Sequence, residues 1–226
     1  NLWHLSHEGL DLEDPALEPD LDKPLFLEMS VSPYQAPDKP TEVSVKFEAG
    51  VPVAVNSEKM KVSAIIKKLN ALGGANGIGI IDIVENRLIG MKDHGIYETP
   101  GGTILYFAHE QLEMLTLDKE TSHLKSKLAV DYADLIYNGK WYTPLQEALT
   151  AFAKKANEHC TGTVKLKLYK GNMINAGITS PYSQYSEELV TFGESDFDQA
   201  ASAGFISIWG LPTKVQALLD EGALNK

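Results

Sequence analysis

Three features are scarce in this sequence: cysteine, positive charge and long apolar runs. Its 226 residues contain one cysteine, so no disulfide can form within the chain, and we expect a reducing, cytoplasmic environment. No apolar run approaches the roughly 18 residues that cross a bilayer, and no secretory leader is recognised, so we predict no contact with membranes. The formal charge of −11, without a local cluster of Lys and Arg, predicts that nucleic acid is not a partner.

Closely spaced metal ligands are also scarce. Of the six histidines only His4 and His7 lie near each other in sequence, so we predict no metal site. Three others fall in or beside predicted helices without a histidine partner four residues away, and we expect hydrogen-bonded or solvated side chains there: His109, His123 and His159. Cys160 has no evident activating partner beyond its adjacent histidine, and we assign it no chemical role.

Strand and helix patterns fill the first half of the chain. A hydrophobic content of 43% can form a core in one domain or two. Alternating apolar residues over 43–55 predict a hairpin, and helical spacing over 62–72 predicts a helix closed by Gly73–Gly74. Two short strands are predicted next, in "GIGIIDIV" and "RLIGM", joined through Glu85 and Asn86.

Helical patterns dominate the second half. Apolar spacing predicts a helix after a cap at Thr103 and another over 124–136, each with a core-facing stripe. The clearest start is "TPLQ", with Thr143 as cap and Pro144 in the first helical position; this helix should end near residues 160–162. A second hairpin is predicted around Gly171–Asn172.

The two ends of the chain differ from its middle. The first forty residues are rich in proline and acid, which is typical of either a flexible linker or irregular chain packed on a neighbour; their apolar strings favour packing. The end, "LPTKVQALLDEG", predicts a short amphipathic helix that docks on a partner or on its own domain. Because strand pairs mix with helix pairs, we predict an α+β fold with a mixed or mainly antiparallel sheet, a domain over 1–192 and a tail over 193–226.

Hydrogen-bonding groups are concentrated in "IDIVENRLIGMKDHGIYETPGGT". Glu85 ends an apolar strand, where it either counters the ammonium group of a ligand or pairs with nearby Arg87 or Lys92. Tyr97 either donates a hydrogen bond to a ligand through its hydroxyl or is a half-buried residue that anchors the loop. "PGGT" precedes a helix but has no following lysine, so we interpret it as a turn rather than a phosphate loop.

The strings "IDIVENRLIGMKDHGIYETPGGTILY", "SPYSQYSEEL" and "NLWHLSHEG" resemble the carboxy-terminal part of argininosuccinate synthases over nearly the whole chain. The resemblance implies a ligase of arginine biosynthesis and the urea cycle, which joins citrulline to aspartate with ATP through a citrullyl-adenylate and releases AMP and diphosphate. In that family another domain binds ATP, with Mg²⁺ expected beside it, through an "SGGxDxS" loop. This sequence contains no such string.

The resemblance assigns roles to particular residues. Ser6 in "HLSHEG", Glu85 in "VENR" and Tyr97 in "GIYE" match positions that contact citrulline in the family. The resemblance therefore favours ligand binding for Glu85. Arg87 and Lys92 are then expected to orient its carboxylate without contacting the ligand themselves. No residue here is predicted to be catalytic, and the chain alone, binding neither ATP nor Mg²⁺, is predicted to be inactive. The resemblance also implies a synthetase domain over 1–192, an oligomerisation tail over 193–226 and a homotetramer.

The sequence departs from the family pattern at four positions. Asp93 and His94 replace a serine and an arginine, and Ile80 and Ile178 stand where arginine is common. If those arginines contact the ligand, each lost charged hydrogen bond weakens carboxylate recognition by about 1–3 kcal/mol. A second hypothesis therefore stays open, in which the chain is a non-catalytic binding or assembly module that self-associates through residues 211–219.

Overall fold

The computed structural model describes residues 1–24, 26–191, 193 and 198–224. The chain divides into two compact units, residues 1–184 and residues 185–226. The domain boundary predicted after residue 192 falls at a position outside the described residues. Helices and antiparallel sheets occur together, so the predicted α+β fold with mainly antiparallel pairing is confirmed.

The described residues form eight strands and seven α-helices. The strands are β1 (Leu5–Glu8), β2 (Thr41–Glu48), β3 (Val51–Val55), β4 (Glu58–Lys59), β5 (Ile80–Asn86), β6 (Lys92–Glu98), β7 (Gly162–Tyr169) and β8 (Asn172–Thr179). The helices are α1 (Val62–Gly74), α2 (Pro100–Thr116), α3 (Lys119–Tyr137), α4 (Pro144–Ala156), α5 (Glu187–Val190), α6 (Ala201–Trp209) and α7 (Leu211–Asp220). None of these helices combines the length and apolar character needed to cross a bilayer.

The larger sheet carries the main core. Its strand order is β4-β3-β2-β7-β8, with antiparallel neighbours, which confirms both predicted hairpins. Alternate residues of β2 and β7 are buried, as expected for strands with one face on a core, and each large apolar side chain contributes roughly 1.5–3 kcal/mol. Core side chains of this sheet and of α1 and α2 include Val45, Phe47, Val164, Leu166, Ile65, Leu69, Ile104, Ala108 and Leu112.

A smaller sheet has the strand order β1-β6-β5 and corrects one prediction. The apolar run "RLIGM" is not a strand: it is the turn between β5 and β6, closed by a hydrogen bond from the Arg87 N–H to the Met91 carbonyl at 2.8 Å. Leu88 and Ile89 are exposed at 67% and 77%. The strand that pairs with β5 begins only at Lys92. The sequence pattern did not predict it because neither of its faces is apolar throughout.

The irregular segment of the first forty residues packs on one side of this sheet. The buried carboxylate of Glu98 accepts hydrogen bonds from the backbone N–H groups of Glu28, Met29 and Ser30 at 2.9, 2.8 and 2.7 Å. His7 Nε2 lies 2.8 Å from the same carboxylate. The packed alternative is therefore confirmed, and the flexible-linker alternative is wrong for this segment.

The start of α2 also differs from prediction. The helix begins at Pro100, with Thr99 as the flanking residue, and the predicted cap at Thr103 is wrong. The Thr103 hydroxyl instead donates to the Thr99 carbonyl at 2.7 Å, one turn back along the chain. Proline, which lacks an N–H and has a fixed φ, suits the first helical position.

The two glycines of "PGGT" belong to the first turn of α2, so their interpretation as a turn is wrong. A Cβ on Gly101 would lie 2.5 Å from Asn70 Oδ1, and one on Gly102 would lie 2.9 Å from the ring of Trp3. The Gly101 N–H donates to Asn70 Oδ1 at 2.9 Å. These glycines allow close packing, and one of the N–H groups at the helix start already has a protein partner.

Helices α3 and α4 pack beside the core without entering it. The start of α4 is confirmed, since the Thr143 hydroxyl accepts the Gln146 N–H at 3.3 Å. The core-facing stripe predicted for α3 is wrong, because no residue of α3 is buried. A network between the helices joins Tyr132 of α3 to the Gln146 amide and the Thr150 hydroxyl of α4 at 3.2 Å each.

The second unit is built from α5, α6 and α7. The predicted terminal helix is confirmed as α7, whereas α6 was not predicted. None of the described residues in this unit is buried. The rings of Phe205 and Trp209 stack on each other with centroids 5.5 Å apart, and both are mostly exposed.

Candidate functional site

The register of the smaller sheet brings the three predicted substrate-binding residues to one face. Ser6 of β1 lies opposite Tyr97 of β6, and Tyr97 lies opposite Ile81 of β5. Side chains alternate between the two faces of a strand, so Glu85, four residues beyond Ile81, shares this face. We call it the open face, defined by Ser6, Glu8, Ile81, Ile83, Glu85, Asp93 and Tyr97. Ser6 is exposed, and Glu85 and Tyr97 are partly buried.

A hydrogen bond links two of the predicted residues directly. The Tyr97 hydroxyl donates to Glu85 Oε1, across the pair of strands β5 and β6. This bond, with a smaller effect of burial, raises the pKa of Tyr97 to about 12, because ionisation would place a second negative charge beside the carboxylate. Tyr97 therefore stays a neutral donor at physiological pH and holds the Glu85 carboxylate in a fixed orientation.

The turn between β5 and β6 contributes a cation to the same face. Arg87, the single arginine of the sequence, places Nη2 2.8 Å from Glu8 Oε2 and 2.9 Å from Asp93 Oδ2. The hydrogen bond to Asp93, followed by the one to Glu8, raises the pKa of Arg87. The guanidinium therefore pairs with two other carboxylates of the open face, while Glu85 accepts the hydrogen bond from Tyr97.

The roles assigned to the two cations stay predictions. Arg87 forms ion pairs with two neighbouring acids, Glu8 and Asp93. The prediction was that it orients the carboxylate of Glu85. Lys92 lines a hollow of about 400 Å³ together with Glu13, Asp93 and His94. Both cations lie at the same end of the β5–β6 hairpin, but the alternation of side chains puts Lys92 on the side of His94 rather than on the side of Glu85.

The charge of the open face favours a ligand with a positive group. Three carboxylates lie on its strands, those of Glu8, Glu85 and Asp93, and Arg87 supplies one positive charge beside them. A carboxylate that is preoriented by a hydroxyl donor forms strong, charge-assisted hydrogen bonds with an ammonium group. The arrangement can therefore bind the amino end of an amino acid.

The opposite side of the same sheet, here called the closed face, carries His7, Asp82, His94, Ile96 and Glu98. His94 Nδ1 lies 2.6 Å from the Leu12 carbonyl and His94 Nε2 lies 2.7 Å from Asp82 Oδ1. Both partners are acceptors, so the doubly protonated ring satisfies both, and the bond to Asp82 raises the pKa of His94 most.

Of the four departures from the family pattern, only Asp93 lies on the open face. His94 faces the other way, and Ile80, which pairs with Glu98, shares its face. Ile178 lies in β8 and packs against the main core. The residues that sequence reasoning missed are Glu8 and Asp93; period-two counting from Tyr97 finds Asp93 once β6 is correctly bounded.

A second concave surface lies between α3 and α4. It has a volume of about 590 Å³ and is mainly apolar, with Leu128, Tyr132 and Phe152 among its lining residues. None of the predicted substrate-binding residues lines it. Tyr106 of α2 also lines it, and part of the apolar stripe of α3 is uncovered there.

Comparison with known proteins identifies the family. The family model described as "Arginosuccinate synthase C-terminal domain" matches residues 1–216. The argininosuccinate synthase of Clostridium botulinum strain Eklund 17B is 60% identical over 218 residues, which cover 96% of this chain and 53% of the relative.

Two further argininosuccinate synthases match over nearly the whole chain. That of Acetivibrio thermocellus is 59% identical over 222 residues, covering 98% of this chain and 54% of the relative. That of Desulforamulus reducens is 54% identical over 224 residues, covering 99% and 55%. The chain thus spans about half the length of the curated relatives it matches. The chain belongs to the argininosuccinate synthase family and corresponds to its C-terminal domain.

Proposed function

We propose that this chain supplies the citrulline-binding part of an argininosuccinate synthase, a cytoplasmic ligase that joins citrulline to aspartate with ATP and releases AMP and diphosphate. The observation that carries the proposal is the shared position of Ser6, Glu85 and Tyr97 on the open face, where Tyr97 donates to Glu85. The relatives, which are argininosuccinate synthases, support the same reaction.

Each of the three side chains has a role suited to a zwitterionic amino acid. Glu85 accepts hydrogen bonds from the α-ammonium group of citrulline, and Tyr97 holds the carboxylate in place. Ser6, exposed on the neighbouring strand, is a neutral hydroxyl that can donate to the ligand or accept from it. These groups bind and orient citrulline, so that its ureido oxygen can be presented to the phosphate of ATP.

Contacts to ATP, Mg²⁺ and aspartate belong, in this proposal, to the rest of the enzyme. At the start of α2, the Gly101 N–H is taken by Asn70 and Gly102 is packed against Trp3, so this helix start does not cradle a phosphate. We therefore expect the isolated chain to release no AMP when it is given ATP, citrulline and aspartate. Turnover by the chain alone would contradict this part of the proposal.

Citrulline binding to the chain is the direct test. Calorimetric titration should give weak, saturable binding, and Glu85→Gln should weaken it about tenfold or more, because a charged hydrogen bond is worth about 1.5–3 kcal/mol. The matched control is Glu42→Gln, which removes an 80% exposed carboxylate from the larger sheet. Equal affinities for the wild type and Glu85→Gln would contradict the proposed role of Glu85.

Activity can be tested in a chimaera. The chain would replace the matching residues of the Clostridium botulinum relative, with which it is 60% identical. We expect AMP release that depends on citrulline and aspartate, and a clear loss of that activity in the Glu85→Gln chimaera. Restored activity that is insensitive to Glu85→Gln would contradict the substrate-binding role.

We also propose that residues 193–226 mediate assembly into a homo-oligomer, a tetramer by family resemblance. Support comes from the described part of the second unit, where no side chain is buried and Phe205, Ile208 and Trp209 are 60%, 72% and 75% exposed. Apolar surface of this kind is typical of subunit contacts. A stand-alone, non-catalytic assembly module is not favoured by the comparisons.

Light scattering tests the assembly role. Deletion of the residues after Gly210 should reduce the particle mass, and Trp209→Ser should do so in the full chain. The matched control is Trp141→Ser, which changes a 49% exposed tryptophan of the first unit. A monomeric full chain, or an oligomer of unchanged mass after both changes, would contradict the proposal.

A further inference from the structure

Three side chains of metal-ligand type meet between α2 and the start of β7, outside the open face. His109 and Glu113 lie one turn apart on α2, and Cys160 comes just before β7. Their ligand atoms all lie within 4.8 Å of one another. Cys160 Sγ is 3.7 Å from His109 Nε2, and His109 Nδ1 is 3.4 Å from Glu113 Oε1.

The cluster is sheltered from solvent, and its nitrogen and sulfur ligands differ in how readily they give a metal-binding form. Cys160 is fully buried, while His109 and Glu113 expose 21% and 13% of their side chains. Burial lowers the pKa of His109, which keeps the imidazole neutral and able to ligate. Burial likewise raises the pKa of the Cys160 thiol to about 11, so the thiol must lose its proton on binding.

Glu113 forms an ion pair next to the other two groups, with its Oε1 2.8 Å from Lys125 Nζ and 3.4 Å from His109 Nδ1. This oxygen is itself buried.

We propose that His109, Glu113 and Cys160 form a Zn²⁺ site. With usual Zn–N and Zn–S distances of about 2.0 and 2.3 Å, the 3.7 Å separation of Nε2 and Sγ corresponds to an N–Zn–S angle of roughly 119°, within about ten degrees of tetrahedral. Glu113 supplies the third ligand after its side chain turns from Lys125, and water completes the set. Binding forms a Zn–S bond and releases the thiol proton to solvent.

The site lies between α2 and the larger sheet, which already pack against each other in the core. A metal bound there would stabilise that contact. Sequence spacing could not reveal it, because His109 and Cys160 are 51 positions apart. This proposal revises the expectation that neither residue has a metal-binding role.

Titration of the chelator-treated full chain with Zn²⁺ tests the site. Calorimetry should show uptake of one equivalent, with an apparent affinity that rises about tenfold per pH unit as the thiol loses one proton. Cys160→Ser and His109→Gln should each weaken binding at least about a hundredfold. The control is His123→Gln, which changes an exposed histidine of α3 and should bind as the wild type does.

Two further measurements keep the proposal open to refutation if a variant fails to fold. Co²⁺ bound to the wild type should give a thiolate-to-metal charge-transfer band, which only coordination by the sulfur produces. Lys125→Met should tighten Zn²⁺ binding several-fold, since the lysine competes for Glu113. No saturable Zn²⁺ uptake, a missing Co²⁺ band, or unchanged affinity in a folded Cys160→Ser variant would each overturn the site.

Discussion

The two faces of the smaller sheet use the same three strands for opposite purposes. On the closed face Glu98 accepts from three backbone N–H groups and lies 2.8 Å from His7 Nε2, and nothing of the carboxylate reaches solvent. On the open face Glu85 has one hydroxyl partner and remains partly exposed. A buried carboxylate with several donors stabilises the fold, whereas an accessible one with a single donor can still bind a ligand.

The alternation of side chains divides the polar residues of one strand between a buried set that stabilises the fold and an accessible set that is free to bind a ligand. β6 is the central strand, so its alternate residues reach both environments. Asp93 and Tyr97 face outward, while His94 and Glu98 face the irregular segment that precedes the larger sheet. Four predictions follow from the contrast between the faces.

The largest expected effect is on the closed face. Glu98→Ala should lower the free energy of unfolding by about 3–5 kcal/mol, because it leaves three backbone N–H groups and an imidazole without their buried acceptor. Urea unfolding measures this change. Glu42→Ala, at an 80% exposed position, should change it by less than about 0.5 kcal/mol. A loss below about 1 kcal/mol in Glu98→Ala would remove the distinction between the faces.

The second prediction concerns the open face. Glu85→Gln removes the negative charge beside Tyr97, so the pKa of Tyr97 should fall from about 12 toward its ordinary value of 10.0. NMR of isotope-labelled tyrosine, with Tyr97→Phe used to assign the signal, measures the titration. Glu110→Gln, a change on α2, should leave it in place. An unchanged titration in Glu85→Gln would mean that the hydrogen bond does not form in solution.

The third prediction concerns pH and the closed face. The pKa of His94 is raised by Asp82 and by the Leu12 carbonyl, so protonated His94 adds stability that is fully present below the ordinary value of 6.5. That contribution is lost as the pH rises through the raised pKa of the folded state. Urea midpoints of the wild type and His94→Gln should therefore differ most at low pH and converge above this window. A difference that grows with pH would reverse the assigned linkage.

The smallest expected effect belongs to Arg87. Its side chain is 50% exposed, and its ion pairs with Glu8 and Asp93 are open to solvent and salt. Arg87→Gln should leave the urea midpoint within experimental error at physiological ionic strength. A destabilisation comparable to that of Glu98→Ala would show that the open face also holds the fold together.

Sequence reasoning succeeded where one local pattern decided the structure. Alternation over residues 43–55 predicted the first hairpin, and Thr143 with Pro144 predicted the start of α4, because neighbours in sequence supply these interactions. It failed for β6, which has polar residues on both faces. One face is exposed, and the other finds its partners about 70 residues earlier in the chain, at Glu28, Met29 and Ser30.

For the candidate site, too, one part could be predicted from the sequence and another part could not. The family resemblance supplied Ser6, Glu85 and Tyr97 as separate positions, and only the strand register brought them to one face. The partner of Glu85 depends on side-chain geometry, because Arg87 forms its ion pairs with Glu8 and Asp93 instead. No local spacing encodes either fact.

An NMR titration of the chain with citrulline, in which side chains of both faces of the smaller sheet are observed, tests whether the open face is the binding surface. Citrulline should shift the ring signals of Tyr97 on the open face and leave the imidazole signals of His7 and His94 on the closed face in place. Glu85→Gln should abolish the Tyr97 shift at the same citrulline concentration. Shifts at His7 and His94 without a shift at Tyr97, or no shift at any of the three, would contradict the account.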